Sequence, residues 1–155
     1  MLSRRSLLLS FGAALALSAC GTGRQSSKNP PDGLLQPGES PAMRAKINRW
    51  ADHYEVPRSL VHRIVQRESG YNPGARNGPY YGLMQIHPRT AGTMGFDGSA
   101  ADLLDADTNL KYGVKYLRGA WMCADGNESR AVSWYAKGYY YEAKRRGILD
   151  EVGLA

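Results

Sequence analysis

Residues 67–88 read RESGYNPGARNGPYYGLMQIHP, a helix end followed by a loop rich in Gly, Pro, Asn and Tyr. Upstream, Val61, Ile64 and Val65 recur at spacings of three and one, and Glu68 lies on the same helical face. Burying a carboxylate on an apolar face is costly unless a cation pairs with it or it stays protonated. A carboxyl group protonated near neutral pH suits general acid catalysis, although a lone glutamate at a helix end more often simply reaches solvent.

Helical spacing dominates the rest of the chain, and strand alternation is nearly absent. Ser40 followed by Pro41 predicts a helix start, a second helix ends near the quoted glutamate, and others are expected from about Pro88 and Glu128. Two further apolar stripes are Met43, Ile47, Trp50 and Tyr54, and Leu110, Val114, Leu117 and Trp121. At most a small ribbon is expected, at residues 80–85. The sequence therefore predicts a mainly α fold, a single helical domain with a minimal β ribbon.

The first residues have the composition of an export signal. Two arginines precede an apolar run at residues 7–19, which is too short for a bilayer span but has the length of a signal h-region. The letters LSAC at residues 17–20 resemble a bacterial lipobox, which implies lipidation of Cys20. Residues 1–19 are accordingly predicted to be a lipoprotein signal peptide, and an ordinary signal peptide cut near the same point is the alternative.

A tether and one domain account for the remaining residues. Residues 20–40 are predicted to be the lipidated Cys20 and a flexible tether, because they are rich in Gly, Ser and Pro without apolar periodicity. Residues 41–155 then form a domain of ordinary size. If Cys20 carries lipid, Cys123 has no disulfide partner and is expected to be buried.

Charge and metal patterns exclude several classes of protein. Two of the 20 basic residues and none of the 14 acidic residues lie in residues 1–19, so the remaining chain has net charge +4. That surplus suits an anionic polymer, but no basic run interleaved with aromatic residues indicates nucleic acid. Residues 105–116 begin like a calcium loop yet place Leu110 and Tyr116 where that loop needs Gly and Glu. The three histidines lack zinc spacing, so we expect neither metal nor cofactor.

Three blocks of sequence resemble the soluble-type lytic transglycosylases, which are related to goose lysozyme. The blocks are Glu68-Ser69 with Tyr71-Asn72-Pro73, then Gly82-Leu83-Met84-Gln85-Ile86 with Pro88, then Asn109 with Gly113, Tyr116 and Leu117. The resemblance implies a lysozyme-like fold of the α+β superfamily with a substrate cleft. It also implies that Glu68 is the single general acid/base. The expected reaction cleaves the β-1,4 bond between N-acetylmuramic acid and N-acetylglucosamine of peptidoglycan and leaves 1,6-anhydro-muramyl ends.

A fourth block departs from the family at several positions. The family usually has Ala-Tyr-Asn-Ala-Gly where this chain has WYAKG at residues 134–138, so Ala136 replaces the asparagine. Asn77 stands where a serine commonly contacts substrate, and His87 where a methionine commonly follows Gln-Ile. The substrate-binding residues implied by the resemblance are Ser69, Asn77, Tyr81, Met84, Gln85, His87 and Tyr135. Tyr80 and the tyrosines at 139–141 suit either stacking on sugars or core packing.

Two alternative functions follow from these departures. A muramidase would hydrolyse the same bond, but hydrolysis usually requires two carboxylates, and nothing in the sequence aims Asp102, Asp105 or Asp107 at the cleft. A non-catalytic peptidoglycan-binding lipoprotein would hold the strand without cutting it.

The expected partners are peptidoglycan glycan strands, with membrane contact through the lipid anchor only, no nucleic acid and no second copy of the chain. Gly21 lacks the aspartate that often retains lipoproteins at the inner membrane. We therefore expect the protein at the periplasmic face of the outer membrane, with the inner membrane as the alternative.

Overall fold

Helices form most of the structure, a computed structural model that describes residues 34–155. Within that range the helices are α1 (Pro41–His53), α2 (Arg58–Ser69), α3 (Pro88–Thr93), a 3-10 helix (Ala100–Leu104), α4 (Ala106–Cys123), α5 (Glu128–Lys137) and α6 (Tyr140–Arg146). Two strands, β1 (Arg76–Asn77) and β2 (Tyr80–Tyr81), complete the elements. The predicted mainly α fold class is confirmed. The predicted signal peptide and Cys20 lie outside the described residues.

Local sequence sets the helix ends. The Ser40 side chain accepts a hydrogen bond from the Met43 amide, and Pro41 occupies the first helical position, as predicted. Helix α2 begins one residue after Pro57 and ends at Gly70, whose φ of 56° is the left-handed conformation that glycine adopts without strain. Helix α5 begins at Glu128 because the Asn127 side chain caps it.

Helix α4 is the centre of the core. Its residues Leu110, Val114 and Leu117 are fully buried, and it packs on α1 and on α5. Around it lie the buried residues of α2, namely Leu60, Val61, Ile64 and Val65. Small residues let neighbours approach: a Cβ at Gly119 would lie 2.3 Å from the Tyr139 hydroxyl. Cys123 is buried and forms no disulfide within the described residues.

The ribbon lies slightly earlier in the chain than predicted. Strands β1 and β2 pair antiparallel, with Arg76 opposite Tyr81 and Asn77 opposite Tyr80. An isolated bridge between Tyr81 and Ile86 then folds the next loop back on the second strand. Only the part of the prediction at residues 80–81 is therefore strand, and its partner precedes it.

Part of the segment predicted as tether packs on the domain. The Glu39 carboxylate is buried and accepts hydrogen bonds from Arg44 Nε at 2.8 Å and Nη2 at 2.7 Å. A Cβ at Gly38 would lie 2.4 Å from the Gly70 carbonyl oxygen, so this segment lies directly against the end of α2. No helix within residues 34–155 combines the length and the apolar character needed to cross a bilayer.

Candidate active site

Glu68 lies in the last turn of α2, where the buried face of the helix ends. Its side chain is 22 % exposed, and its Oε1 lies 3.3 Å from Nε of Arg67. The carboxylate lines a cavity of about 370 Å³ together with Asn77, Tyr80 and other residues. The buried residues upstream fix the helix in the core, so Glu68 is presented to the cavity from a rigid element.

Ser69 fastens the helix end to the following loop. Its hydroxyl donates to the carbonyl oxygen of Val65 at 3.1 Å or to that of Leu83 at 2.8 Å. One contact lies within the helix and the other crosses to the loop at residues 82–86. The serine predicted to bind substrate thus contacts main chain, and it does not line either of the cavities described here.

The Asn109 side chain of α4 fixes the position of that loop through hydrogen bonds. Its Oδ1 accepts from the Met84 amide at 2.9 Å, and its Nδ2 donates to the carbonyl oxygens of Tyr81 and Leu103, each at 2.8 Å. Gly82 is required here, because it has a φ of 72° and a Cβ would lie 2.3 Å from Asn109 Nδ2. These three hydrogen bonds of a fully buried side chain explain why an asparagine in α4 accompanies the GLMQI block.

Gln85 turns the loop toward the cavity. Its φ of 46° is unusual for a residue with a side chain, and its Nε2 donates to the carbonyl oxygens of Ala75 and Gly82 at 3.1 and 2.9 Å. Both hydrogens of the Gln85 side-chain amide are thereby donated to main-chain carbonyl oxygens. Its Oε1 has no hydrogen-bond donor among the described residues, and Gln85 lines the Glu68 cavity.

Tyr135 of α5 closes the opposite side of the site. Its hydroxyl donates to the Met84 carbonyl oxygen at 2.8 Å, which ties α5 to the loop. Burial and, next, the Glu68 carboxylate raise the pKa of Tyr135 well above its ordinary value, so the hydroxyl remains a donor. Met84 itself is fully buried against Gly113 and contributes its main chain, not its side chain, to this arrangement.

A second cavity of about 470 Å³ adjoins the first. The two share the lining residues Tyr80, Gln85, Tyr135 and Ala136 and therefore form one cleft. The second is lined in addition by Ile86, His87, Arg89, Thr90, Tyr116, Lys137 and Gly138. His87 also caps α3, because its Nδ1 accepts from the Arg89 amide at 3.0 Å.

The structure thus brings together some of the predicted residues. Glu68, Asn77, Gln85, Tyr135 and His87 line the cleft, whereas Ser69, Met84 and Tyr81 line neither of its cavities.

Prediction from sequence omitted several lining residues. Arg67, Arg89 and Lys137 were not predicted and add charge to the cleft. Tyr80, expected either to stack on sugars or to pack in the core, lines both cavities, whereas Tyr81, implied by the resemblance to bind substrate, lines neither. Only Tyr80 could have been favoured from the sequence. Neighbouring residues on a strand point to opposite faces, so Tyr80 and Tyr81 could not both face the cleft.

Glu68 is the only carboxylate among the residues that line the two cavities. The three aspartates considered from the sequence are engaged elsewhere. Asp102 accepts from the Ser99 amide, Asp105 caps α4 through the Thr108 amide, and Asp107 contacts Lys46, Arg49 and Trp50. Among residues 34–155 no three His, Cys, Asp or Glu side chains are grouped as a metal site would require.

Comparison with known proteins gives a family. The model of the transglycosylase SLT domain matches residues 45–147. The membrane-bound lytic murein transglycosylase C of Haemophilus influenzae (strain PittEE) is 39% identical over 79 residues, which are 46% of this chain and 22% of the relative. The protein of the same name from Actinobacillus pleuropneumoniae serotype 5b (strain L20) is 37% identical over the same shares.

The matched segment spans less than a quarter of the length of these curated relatives. No solved structure matches the chain significantly. The family model, however, matches more than half of this chain and includes α2, the GLMQI loop, α4 and α5. The chain belongs to the family of the transglycosylase SLT domain.

Proposed function

We propose that this protein is a peptidoglycan lytic transglycosylase in which Glu68 is the single general acid/base. The observation that carries the proposal is that, among residues 34–155, Glu68 is the one carboxylate lining the cleft. Hydrolysis of a glycoside usually takes two carboxylates, whereas a single one suffices if the substrate supplies the nucleophile. The names of the relatives support the same activity and substrate.

The reaction needs two proton transfers at one group. Protonated Glu68 donates to the glycosidic oxygen as the bond from C1 of N-acetylmuramic acid to that oxygen breaks, and the N-acetyl carbonyl oxygen stabilises C1. Ionised Glu68 then takes the proton of the C6 hydroxyl, whose oxygen bonds to C1 and closes the 1,6-anhydro ring. No water is consumed, and Glu68 returns to its protonated form.

The other cleft residues would orient the sugars. The Asn77 amide offers donors and an acceptor, and Gln85 Oε1 offers an acceptor for an N–H or hydroxyl group. The Tyr80 ring, 45 % exposed and shared by both cavities, presents a face on which a sugar ring can stack. Tyr135 in the cleft wall, and Ser69 and Met84, which line neither cavity, would fix Glu68 and Gln85 in position.

The N-terminal residues support an envelope location. The lipobox-like sequence predicts a lipid on Cys20, and the relatives are named as membrane-bound. We propose anchoring at the periplasmic face of the outer membrane. Cells that express Cys20→Ala should release the protein into the soluble periplasmic fraction, with fractionation by density gradient as the measurement; retention in the membrane fraction would contradict a lipid on this residue.

The decisive experiment is a mass spectrum of the muropeptides that the purified full-length protein releases from sacculi. Products with 1,6-anhydro-muramyl ends, one water lighter than reducing ends, are expected, and Glu68→Gln should release none. Reducing ends would instead show a muramidase. Binding to sacculi without any released product would show a non-catalytic binding protein.

A further inference from the structure

Part of the cleft carries positive charge that the proposed reaction does not use. Arg89 and Lys137 line the second cavity, and no aspartate or glutamate of the described part of the chain lines it. Neither cation has an ion-pair partner among residues 34–155. Arg67 of the first cavity differs, because it lies beside Glu68 and is compensated by it.

Uncompensated cations of this kind attract an anionic group. A neutral sugar gains little from two positive charges, whereas a carboxylate can bind an arginine fork in bidentate geometry and meet a lysine ammonium as a second cation. The walls of a cleft also concentrate the field of its charges on a ligand inside it. The charge distribution therefore specifies the class of ligand even where the individual contacts remain exposed to solvent.

The side chain of Lys137, a lining residue of the second cavity, is restrained by contact with Trp134. Its Nζ lies 4.1 Å from the centre of the Trp134 ring, a cation–π distance that restricts a long and otherwise free side chain. Next to it, Ala136 lines both cavities and contributes only a methyl group. The WYAKG sequence thus places a restrained cation of the second cavity next to a small residue that both cavities share.

We propose that the second cavity binds a carboxylate carried by the muramyl residue of the strand, with Arg89 and Lys137 as its ligands. This inference rests on the proposed function and specifies its substrate. Because the two cavities share four lining residues, a group bound in the second belongs to the sugar at Glu68 or to its neighbour. Muramic acid carries a lactyl ether whose carboxylate is free or extended by a stem peptide, and the peptide has carboxylates of its own.

Three preparations of glycan strand distinguish these sources of charge. The first keeps its stem peptides, the second is stripped of them and so exposes lactyl carboxylates, and the third is the stripped strand with those carboxylates converted to amides. KM and kcat would be measured for the full-length protein in detergent and for Arg89→Gln and Lys137→Gln. Lys144→Gln is the matched control, because Lys144 is an exposed lysine of α6 that lines neither cavity.

Each cleft substitution is expected to raise KM on carboxylate-bearing strands by about two- to fivefold, with kcat nearly unchanged and the effect weakened by salt. On the amidated strand, the two cleft variants should have the same KM as the wild type. Lys144→Gln should match the wild type on all three strands. A change on stripped strands assigns the lactyl carboxylate, and a change on peptide-bearing strands alone assigns the stem peptide. An equal change on amidated strands, or none on any strand, would overturn the proposal.

Measurements of strand binding test the carboxylate site independently of catalysis. If the wild type released no product from any strand, the proposed function would fail, but Kd values for the three strands would still report on the cavity. The same two- to fivefold weakening by Arg89→Gln and Lys137→Gln, limited to carboxylate-bearing strands, would then support the carboxylate site alone. Equal Kd values for charged and amidated strands would reject it.

Discussion

Glu39, in the segment before α1, and Glu68, in the cleft, are carboxylates with opposite surroundings. The Glu39 side chain is fully buried and accepts hydrogen bonds from Arg44 and from the Gln36 amide. Glu68 is partly exposed in the cleft and has one charged neighbour, Arg67, at 3.3 Å. A carboxylate surrounded by donors stabilises a fold, whereas one with free oxygens can exchange a proton with a ligand.

Glu39 belongs to a larger network of buried polar side chains. His62 Nδ1 lies 3.5 Å from Glu39 Oε1 and 3.2 Å from the Tyr71 hydroxyl, and its Nε2 lies 3.1 Å from Asn48 Oδ1. Burial lowers the pKa of His62, although the nearby Glu39 carboxylate opposes this, so the ring is neutral near pH 7. The network joins the segment before α1 to α2 and to the turn after it.

The largest effect should come from Glu68→Gln. We expect turnover on sacculi to fall by at least about 10³-fold, because the amide can neither donate nor accept the transferred proton. The midpoint of thermal unfolding should stay within about 2 °C of the wild type, since a partly exposed group with a single long contact contributes little to stability. Retained turnover with anhydro products would break the assignment of this carboxylate.

The second effect concerns stability. Glu39→Gln should lower the free energy of unfolding by about 3 kcal/mol, because a neutral amide replaces a fully buried carboxylate that accepts charge-assisted hydrogen bonds from Arg44 and a hydrogen bond from the Gln36 amide. Urea denaturation monitored by circular dichroism measures this difference.

Glu55→Gln is the control for Glu39→Gln, since Glu55 is 77 % exposed and lies 3.4 Å from Arg118. Its loss should cost below about 1 kcal/mol. Equal losses in the two variants would show that the burial of Glu39 is not what makes its pairing strong.

A third prediction is that the Glu39 contribution depends on pH. Burial alone would raise the pKa of Glu39, but hydrogen bonds from Arg44 and the Gln36 amide more than offset it, so the pKa lies below the ordinary value of 4.5. A lowered pKa means that the unfolded chain binds the proton more readily. The stabilisation is therefore complete above the unfolded value and is lost as the pH falls through the folded value.

Unfolding free energies at pH 7, 5, 4 and 3 test this sign. The difference between wild type and Glu39→Gln should shrink from pH 5 to pH 3, whereas between pH 7 and pH 5 it also includes the titration of His62, whose pKa the Glu39 carboxylate raises. A difference that grew from pH 5 to pH 3 would mean that the pKa of Glu39 in the folded protein lies above its ordinary value.

The comparison also shows which features the sequence could predict. Helices α1, α2, α4 and α5 were predictable because caps and apolar periodicity coincide in each. The 3-10 helix and α6 were not predicted, since each is short and shows no apolar stripe: α6 buries only Ala143. Tyr139, considered for stacking on sugars, is instead buried with its hydroxyl on the Tyr116 carbonyl oxygen.

In the cleft, the features that could not be predicted from the sequence have a different cause. Glu68 could be placed from helix periodicity, whereas the roles of Ser69 and Met84 depend on hydrogen bonds to residues 14 and 51 positions away. The choice between Tyr80 and Tyr81 depends on strand register, which the bridge from Tyr81 to Ile86 sets. Such long-range pairings leave no periodic trace in the chain, and Glu39 likewise lay within a segment of tether composition.

The smallest effect should come from Tyr135→Phe, which sharpens the comparison by disturbing the support of Glu68 and leaving its carboxylate. Loss of the hydrogen bond to the Met84 carbonyl oxygen should cost about 1 kcal/mol of stability and lower kcat by about tenfold, as the loop loosens. Tyr112→Phe is the matched control, because Tyr112 packs on Phe96, lines neither cavity and has no hydrogen-bond partner for its hydroxyl among residues 34–155. If Tyr135→Phe matched that control in both stability and kcat, Glu68 would be held by α2 alone, and the bond from α5 would be incidental to catalysis.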